Sequence, residues 1–261
     1  MNLRFLALVP VVALASYFGY LAIEAPGNQL FGKTVVAGPT DTREVALTFD
    51  DGPNPPYTER ILDVLDREHV HATFFVVGRA VKAYPATVRR IVREGHAIGN
   101  HTWDHSHLLV QSPDAVGNEL RRTDDAIYAI SGVHTKLMRP PFGARDFAVL
   151  DQARAMGYTV VMWSVPLPND WEQPGDATIA QRVIDNVRDG GIIVLHDGNR
   201  GIVCDPSRTP KGICDRGQDV AATRTIVETL KAKGYVFVTI PQLLAEASRD
   251  RAMHSVARSS R

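Results

Sequence analysis

From Glu44 onward, short apolar runs alternate with longer amphipathic segments. The runs Val45–Phe49, Ala72–Val77, Ala97–Ile98, Leu137–Met138, Thr159–Trp163, Ile192–Leu195 and Val236–Thr239 predict strands, because each is brief, apolar and bounded by turn residues. Between them, Pro56–Glu68, Pro85–Glu94, Pro113–Ser131, Phe147–Met156, Ile179–Arg188, Val220–Lys233 and Pro241–Ser248 predict helices. Regular β-α alternation is the pattern of a parallel sheet covered by helices. About seven such units are too many for a small open sheet and fit a barrel, with chemistry expected at the carboxyl ends of the strands.

The amino terminus follows a different pattern. Phe5 to Ile23 carries no charge, follows Arg4, and is closed by Glu24 and Pro26-Gly27, which predicts an export signal or an anchor. Ala13-Leu14-Ala15 offers a cleavage site, yet cleavage there would leave Tyr17 to Ile23 exposed, so an uncleaved membrane anchor with an outward-facing domain is favoured over a secreted form. The expected organisation is a signal segment at 1–24, a linker at 25–43 with a short strand at Thr34–Val36, a catalytic domain at 44–248 and a loose tail at 249–261.

Composition narrows the partners. The 261 residues carry 29 basic and 29 acidic side chains, so no whole-protein field favours nucleic acid, and a neutral polymer is the more natural partner. Cys204 and Cys214 lie in one loop, which in an exported protein predicts a disulfide.

Four blocks carry candidate chemistry. In Thr48-Phe49-Asp50-Asp51-Gly52-Pro53 an apolar strand ends on two carboxylates and a Gly-Pro turn. His101-Thr102-Trp103-Asp104-His105 spaces two imidazoles four apart, able to share one helical face and to ligate a metal. Arg139-Pro140-Pro141-Phe142-Gly143 is a rigid exit from the Leu137-Met138 strand, and Ile192–Leu195 delivers His196 to a strand end. Two imidazoles and one carboxylate form the open three-ligand set of catalytic zinc.

In this order the blocks resemble the polysaccharide deacetylases, carbohydrate esterase family four, over roughly Glu44 to Ile240. The resemblance implies a distorted (β/α) barrel and metal-dependent removal of acetyl groups from N-acetylglucosamine-containing polysaccharide. It implies Asp51, His101 and His105 as ligands of a divalent ion, zinc most simply, with cobalt, nickel or iron as alternatives. Asp50 becomes the general base, tuned by Arg139, and His196 the general acid. The Phe142 N–H becomes an oxyanion donor. Asp170-Trp171 matches a block in which the acid tunes the histidine and the indole walls the sugar groove. The chain departs from the pattern in that block, where no acid stands between Trp163 and Asp170. It departs again at Val194, where the family commonly has leucine lining the acetyl pocket. Peptidoglycan is the favoured substrate and chitin-type oligomers the next. An O-acetyl glycan esterase and a non-catalytic glycan-binding module are the competing readings, and a metal phosphohydrolase would call for more carboxylates.

Overall fold

The structure, a computed structural model, describes Gly19 and residues 23–205, 207–210 and 212–247. The tail and nearly all of the uncharged amino-terminal stretch lie outside these residues. Among the described residues no helix is long and apolar enough to cross a membrane.

The strands are β1 (Glu44–Asp50), β2 (Thr73–Val76), β3 (Ala97–Asn100), β4 (Leu137–Met138), β5 (Thr159–Val160), β6 (Gly191–His196) and β7 (Val236–Phe237). All pair in parallel, in the order β5-β4-β3-β2-β1-β6, with β7 added to the start of β1. The ring closes just beyond β5, where the N–H groups of Ser164 and Val165 both donate to Ile192 O of β6 at 3.2 Å. This is a distorted (β/α) barrel, as expected. The helices are α1 (Tyr57–Arg67), α2 (Gly78–Ala83), α3 (Pro85–Arg93), α4 (Pro113–Ser131), α5 (Phe147–Ala155), α6 (Asp176–Asn186) and α7 (Gly217–Ala232), with a further helix over 240–247.

Three details correct the sequence reading. The apolar run Thr159–Trp163 is ladder-paired only through Val160, because the chain then turns to take Val35 as a partner and to reach β6. The predicted strand Thr34–Val36 is accordingly a single bridge, Val35 to Val161. The short helix α2 was not predicted, since six residues are too few to show a helical period.

Buried on both faces, the central strands need apolar residues at successive positions, which is why they read as unbroken runs. Val45, Leu47 and Phe49 of β1 join Ile193 and Leu195 of β6 in the layer beneath the helices. Their neighbours Ala46, Ile192 and Val194 fill the barrel interior with Phe75, Met138 and Val161. Strand alternation therefore puts Ala46, Thr48 and Asp50 in one inward column, and register places Thr48 opposite Val194 and Asp50 opposite His196. The interior turns from apolar to polar as it approaches the carboxyl ends, which is where the site lies.

Candidate active site

Asp50 is the last residue of β1, and Arg139, one residue beyond β4, reaches it across the barrel. Arg139 is fully buried and its guanidinium is spent on four acceptors: Asp50 Oδ1 at 2.7 Å, Thr48 Oγ1 at 2.8 Å, Met162 O at 3.0 Å and Val161 O at 3.1 Å. Its flat face lies 4.1 Å over the Phe75 ring. Thr48 completes the arrangement by donating to Ile193 O at 2.6 Å. Thus the arginine fixes one oxygen of Asp50 and leaves Oδ2 facing the histidines, 3.9 Å from His101 Nε2.

Asp51 sits at φ 78°, a left-handed backbone that is costly for a residue with a side chain. The turn turns its carboxylate toward His101 and His105, with Oδ1 lying 3.5 Å and 3.1 Å from their Nε2 atoms. Oδ2 accepts the Arg200 N–H at 2.7 Å. The next loop closes tightly over this turn: a Cβ on Gly198 would collide with the Asp51 backbone, and one on Gly52 with the Asp197 carboxylate. Thr58 Oγ1 ties Asp197 in place at 2.5 Å.

The His101–His105 segment is not helical, contrary to the expectation of a shared helical face. Thr102 and His105 have φ of 67° and 59°, and side chains take over the hydrogen bonds a helix would have made. Asn100 Oδ1 accepts from Thr102 N and Thr102 Oγ1 from His105 N, while Glu119 Oε2 on α4 accepts from both Trp103 N and Asp104 N. Burial, followed by the nearby Asp104, raises the Glu119 carboxyl. Sequence reasoning missed Glu119 because a glutamate in an amphipathic helix gives no sign of serving a loop fifteen residues earlier.

The donor set fits a cation. His101 Nδ1 lies 2.8 Å from Arg139 O, and a carbonyl only accepts, so Nδ1 carries the proton and Nε2 of the neutral ring presents a lone pair to Asp51. Asp51 Oδ1 is buried without a hydrogen-bond partner. Facing acceptors of this kind need positive charge between them. One ligand atom from each of Asp51, His101 and His105 falls within 4.8 Å of the others, and four-coordinate zinc with bonds of about 2.0–2.1 Å holds its ligands roughly 3.3 Å apart. Burial alone would raise the Asp51 carboxyl, and a cation seated between it and the two imidazoles would keep it ionised.

Opposite Asp50, the β6 end carries His196. Its Nδ1 contacts Asp170 Oδ1 at 2.9 Å, and Asp170 Oδ2 accepts the His196 backbone N–H at 2.6 Å. Burial would lower the imidazole, yet the Asp170 charge, with help from Asp51 and Asp50, pushes it up to about 10. Asp170 is itself lowered against burial by His196. Behind it, burial and the Asp170 charge push Asp219 of α7 up to about 9, so Asp170 is the ionised member of that pair. Neither Asp219 nor its neighbour Arg216 carries a motif-level signal.

Two aromatic rings border the site. Trp171, 44% exposed, meets His196 edge-on at 5.5 Å between centroids, and Phe142, 39% exposed, meets His105 edge-on at 4.7 Å. Phe142 occupies a tight turn at φ 61°, where Gly143 and Ala144 donate back to Pro140 O and Pro141 O and the Phe142 N–H takes no part in that pattern. Val194 is buried in the barrel interior two residues before His196. Of the predicted site residues, therefore, Asp50, Asp51, His101, His105 and Arg139 are joined by direct contacts, and the His196–Asp170 pair stands at the neighbouring strand end. Phe142 and Trp171 flank them and Val194 lies below.

Fold and donor set together are those of an α/β-barrel protein with a site for one divalent metal ion. More narrowly, the chain belongs to the polysaccharide deacetylase family, whose sequence pattern it matches over residues 37–161. It is 36% identical over 228 residues to a peptidoglycan-N-acetylglucosamine deacetylase of Bacillus cereus, covering 87% of this chain and 93% of that one. It is 38% identical over 208 residues to a chitooligosaccharide deacetylase of Rhizobium leguminosarum bv. trifolii, covering 78% and 93%. Among solved structures, a peptidoglycan N-acetylglucosamine deacetylase in complex with an N-hydroxybenzamide superposes with a TM-score of 0.72 at 36% identity, over 80% of this chain and 92% of the other.

Proposed function

We propose that this chain is a hydrolase that removes N-acetyl groups from N-acetylglucosamine residues of a polysaccharide, releasing acetate and leaving a free amine. The observation that carries the reading is the pairing of Asp50 with His196 across adjacent strand ends, one held by Arg139 and the other by Asp170, beside the Asp51–His101–His105 donor set.

Asp51, His101 and His105 would hold the divalent cation, and the His₂-carboxylate set favours zinc. Such an ion supplies Lewis acidity, polarising the acetyl carbonyl and lowering the pKa of water. Asp50, fixed by Arg139 through one oxygen, accepts the proton of the attacking water with the other. Phe142 donates its N–H to the acetyl oxygen as negative charge builds there. His196, kept protonated by Asp170, passes a proton to the nitrogen as the carbon–nitrogen bond breaks, so the amine departs neutral. Trp171 and Phe142 provide the walls against which a sugar ring packs, and Val194 closes the apolar floor for the acetyl methyl.

This assignment predicts the alkaline limb of the pH–rate profile. Because His196 is raised to about 10, its proton is present at neutrality and is lost only as pH climbs toward that value; a bound cation offsets part of the Asp51 field and brings the limb somewhat lower. In Asp170→Asn the main raising charge is gone while burial still lowers the ring, so the limb should move down toward neutral pH. An unchanged limb in kcat would refute the donor role.

Cys204 and Cys214 form the expected disulfide, with Cα atoms 6.1 Å apart. Side chains pin the same loop to its surroundings: Asn54 to Cys214 O, Tyr84 to Cys204 O, Asn199 to Ile213 O and Gln173 to Gly212 O. Together these support a fixed wall of the glycan groove. Replacing both cysteines by serine should lower stability by about 2–3 kcal/mol in the chain-entropy model. It should also reduce turnover of long polymer more than of short oligomers, and equal rates on both would leave the bridge a purely local staple.

Peptidoglycan is the favoured polymer, as with the Bacillus cereus relative, and an extracytoplasmic site of action follows from that choice. The disulfide supports export, and from the uncharged stretch Phe5–Ile23 we infer that the segment is retained as an anchor. Measuring acetate and free amine from N-acetylated and O-acetylated glycans in parallel tests the reaction: equimolar acetate and amine are expected from the N-acetyl substrate, and acetate from O-acetyl glycan alone would replace the reading with an esterase.

A further inference from the structure

Arg200 stands out among the groups at the mouth of the site. Its backbone N–H is already spoken for by Asp51 Oδ2, at 2.7 Å, which fixes the residue beside the metal-binding carboxylate. It takes φ 48°, a conformation that would cost glycine nothing and that an arginine holds at some strain, and Gly201, at φ 63°, follows it. The turn itself does not require the side chain. That side chain is exposed, and among the described residues its guanidinium has no carboxylate within ion-pair distance. Instead it lies 5.3 Å from the centroid of the Phe142 ring, which in turn stands 4.7 Å from the ring of His105. An uncompensated planar cation is thereby held on the aromatic wall one ring away from the triad.

We infer that Arg200 is an anion-recognition site for the substrate: it pairs with a carboxylate carried on the acetamido sugar or its immediate neighbour, so that the preferred polymer is an acidic glycan rather than a neutral one. The inference rests on the deacetylase reading given above and adds the charge of the substrate to it. Net charge alone pointed to a neutral polymer, since the chain has no long-range field to gather an anionic one; Arg200 would supply the selection locally. The chemistry fits as well: guanidinium presents a fork of N–H donors matched to a carboxylate, and its cation–π contact with Phe142 keeps that fork beside the aromatic wall. An N-acetylmuramic acid unit, whose lactyl ether places a carboxylate next to the acetamido carbon, has the required groups at the required proximity.

The test compares three probes with the intact enzyme loaded with zinc: glycan strands of alternating N-acetylglucosamine and N-acetylmuramic acid freed of peptide, the same strands with their carboxylates converted to methyl amides, and chitin oligomers of equal length. Wild type should show a kcat/KM about ten- to one-hundred-and-fifty-fold higher on the free carboxylate than on its amide, the span expected for one charge-assisted pair. The ratio should shrink as salt is raised. Arg200→Gly, which also relieves the backbone, and Arg200→Gln should both bring that ratio close to one. A wild-type ratio near one, or a ratio retained in both variants, would overturn the inference. Acetate release from none of the three probes would instead defeat the deacetylase reading beneath it.

Discussion

Replacing Arg139 with methionine should remove activity and a large share of the stability at once. The guanidinium is completely buried and ties β1 to the segments after β4 and β5 through Asp50, Thr48, Val161 and Met162. Methionine can fill part of the volume over Phe75 but leaves two carbonyls and the Asp50 carboxylate without their donor. Breaking a buried ion pair on one side costs about 3–5 kcal/mol, roughly 10 °C in Tm for a chain of this length. Lysine should not rescue it, because a point charge cannot reach four acceptors arranged around a planar fork. Thermal unfolding followed by calorimetry, with acetate release on the same samples, checks both parts. A variant that keeps Tm and turnover would show that Asp50 is positioned by something else.

The second large effect separates the two adjacent acids. Asp51→Ala should lose the cation and, with it, turnover, because the alanine withdraws the only carboxylate of the donor set. Asp50→Asn should bind the cation about as tightly as wild type and still fail to release acetate. Its amide oxygen can go on accepting from Arg139, so the barrel mouth is kept, while the group facing the triad no longer takes a proton. Loss of general-base catalysis alone predicts a fall of about 10²–10⁴ in kcat. Zinc affinities measured by titration calorimetry on the two variants decide the matter, and equal affinities would reverse or dissolve the assignment.

Much of this arrangement was legible in the chain because each chemical group closes an apolar run. Asp50, Arg139 and His196 all stand at or just beyond the carboxyl end of a strand, and alternation along β1 and β6 suffices to turn Asp50 and His196 inward. What escaped was whatever depends on contacts between distant segments or on irregular backbone. The His101–His105 spacing reads as a helical face, but its geometry is made by Asn100, Thr102 and Glu119, whose side chains substitute for helix hydrogen bonds. The strand after Tyr158 looked longer than its pairing because apolar residues there serve barrel closure and not the ladder. Thr48, Asp219 and Arg200 act through partners 91, 49 and 149 residues away, and no local pattern announces such pairings. Asp170 illustrates the middle case: its motif resemblance was imperfect, and it is the two contacts with His196 that give it a place in the site.

The central claim is that a divalent cation held by Asp51, His101 and His105 serves hydrolysis of an N-acetylated glycan. Its most direct test is acetate release from N-acetylglucosamine-containing polymer by the purified chain before chelation, after chelation and after zinc is returned, with Asp50→Asn carried through every step. Release that vanishes on chelation, returns with zinc and is absent throughout in Asp50→Asn is the predicted result. Acetate release that survives complete removal of metal, or none at all from the zinc-loaded enzyme, would contradict the account.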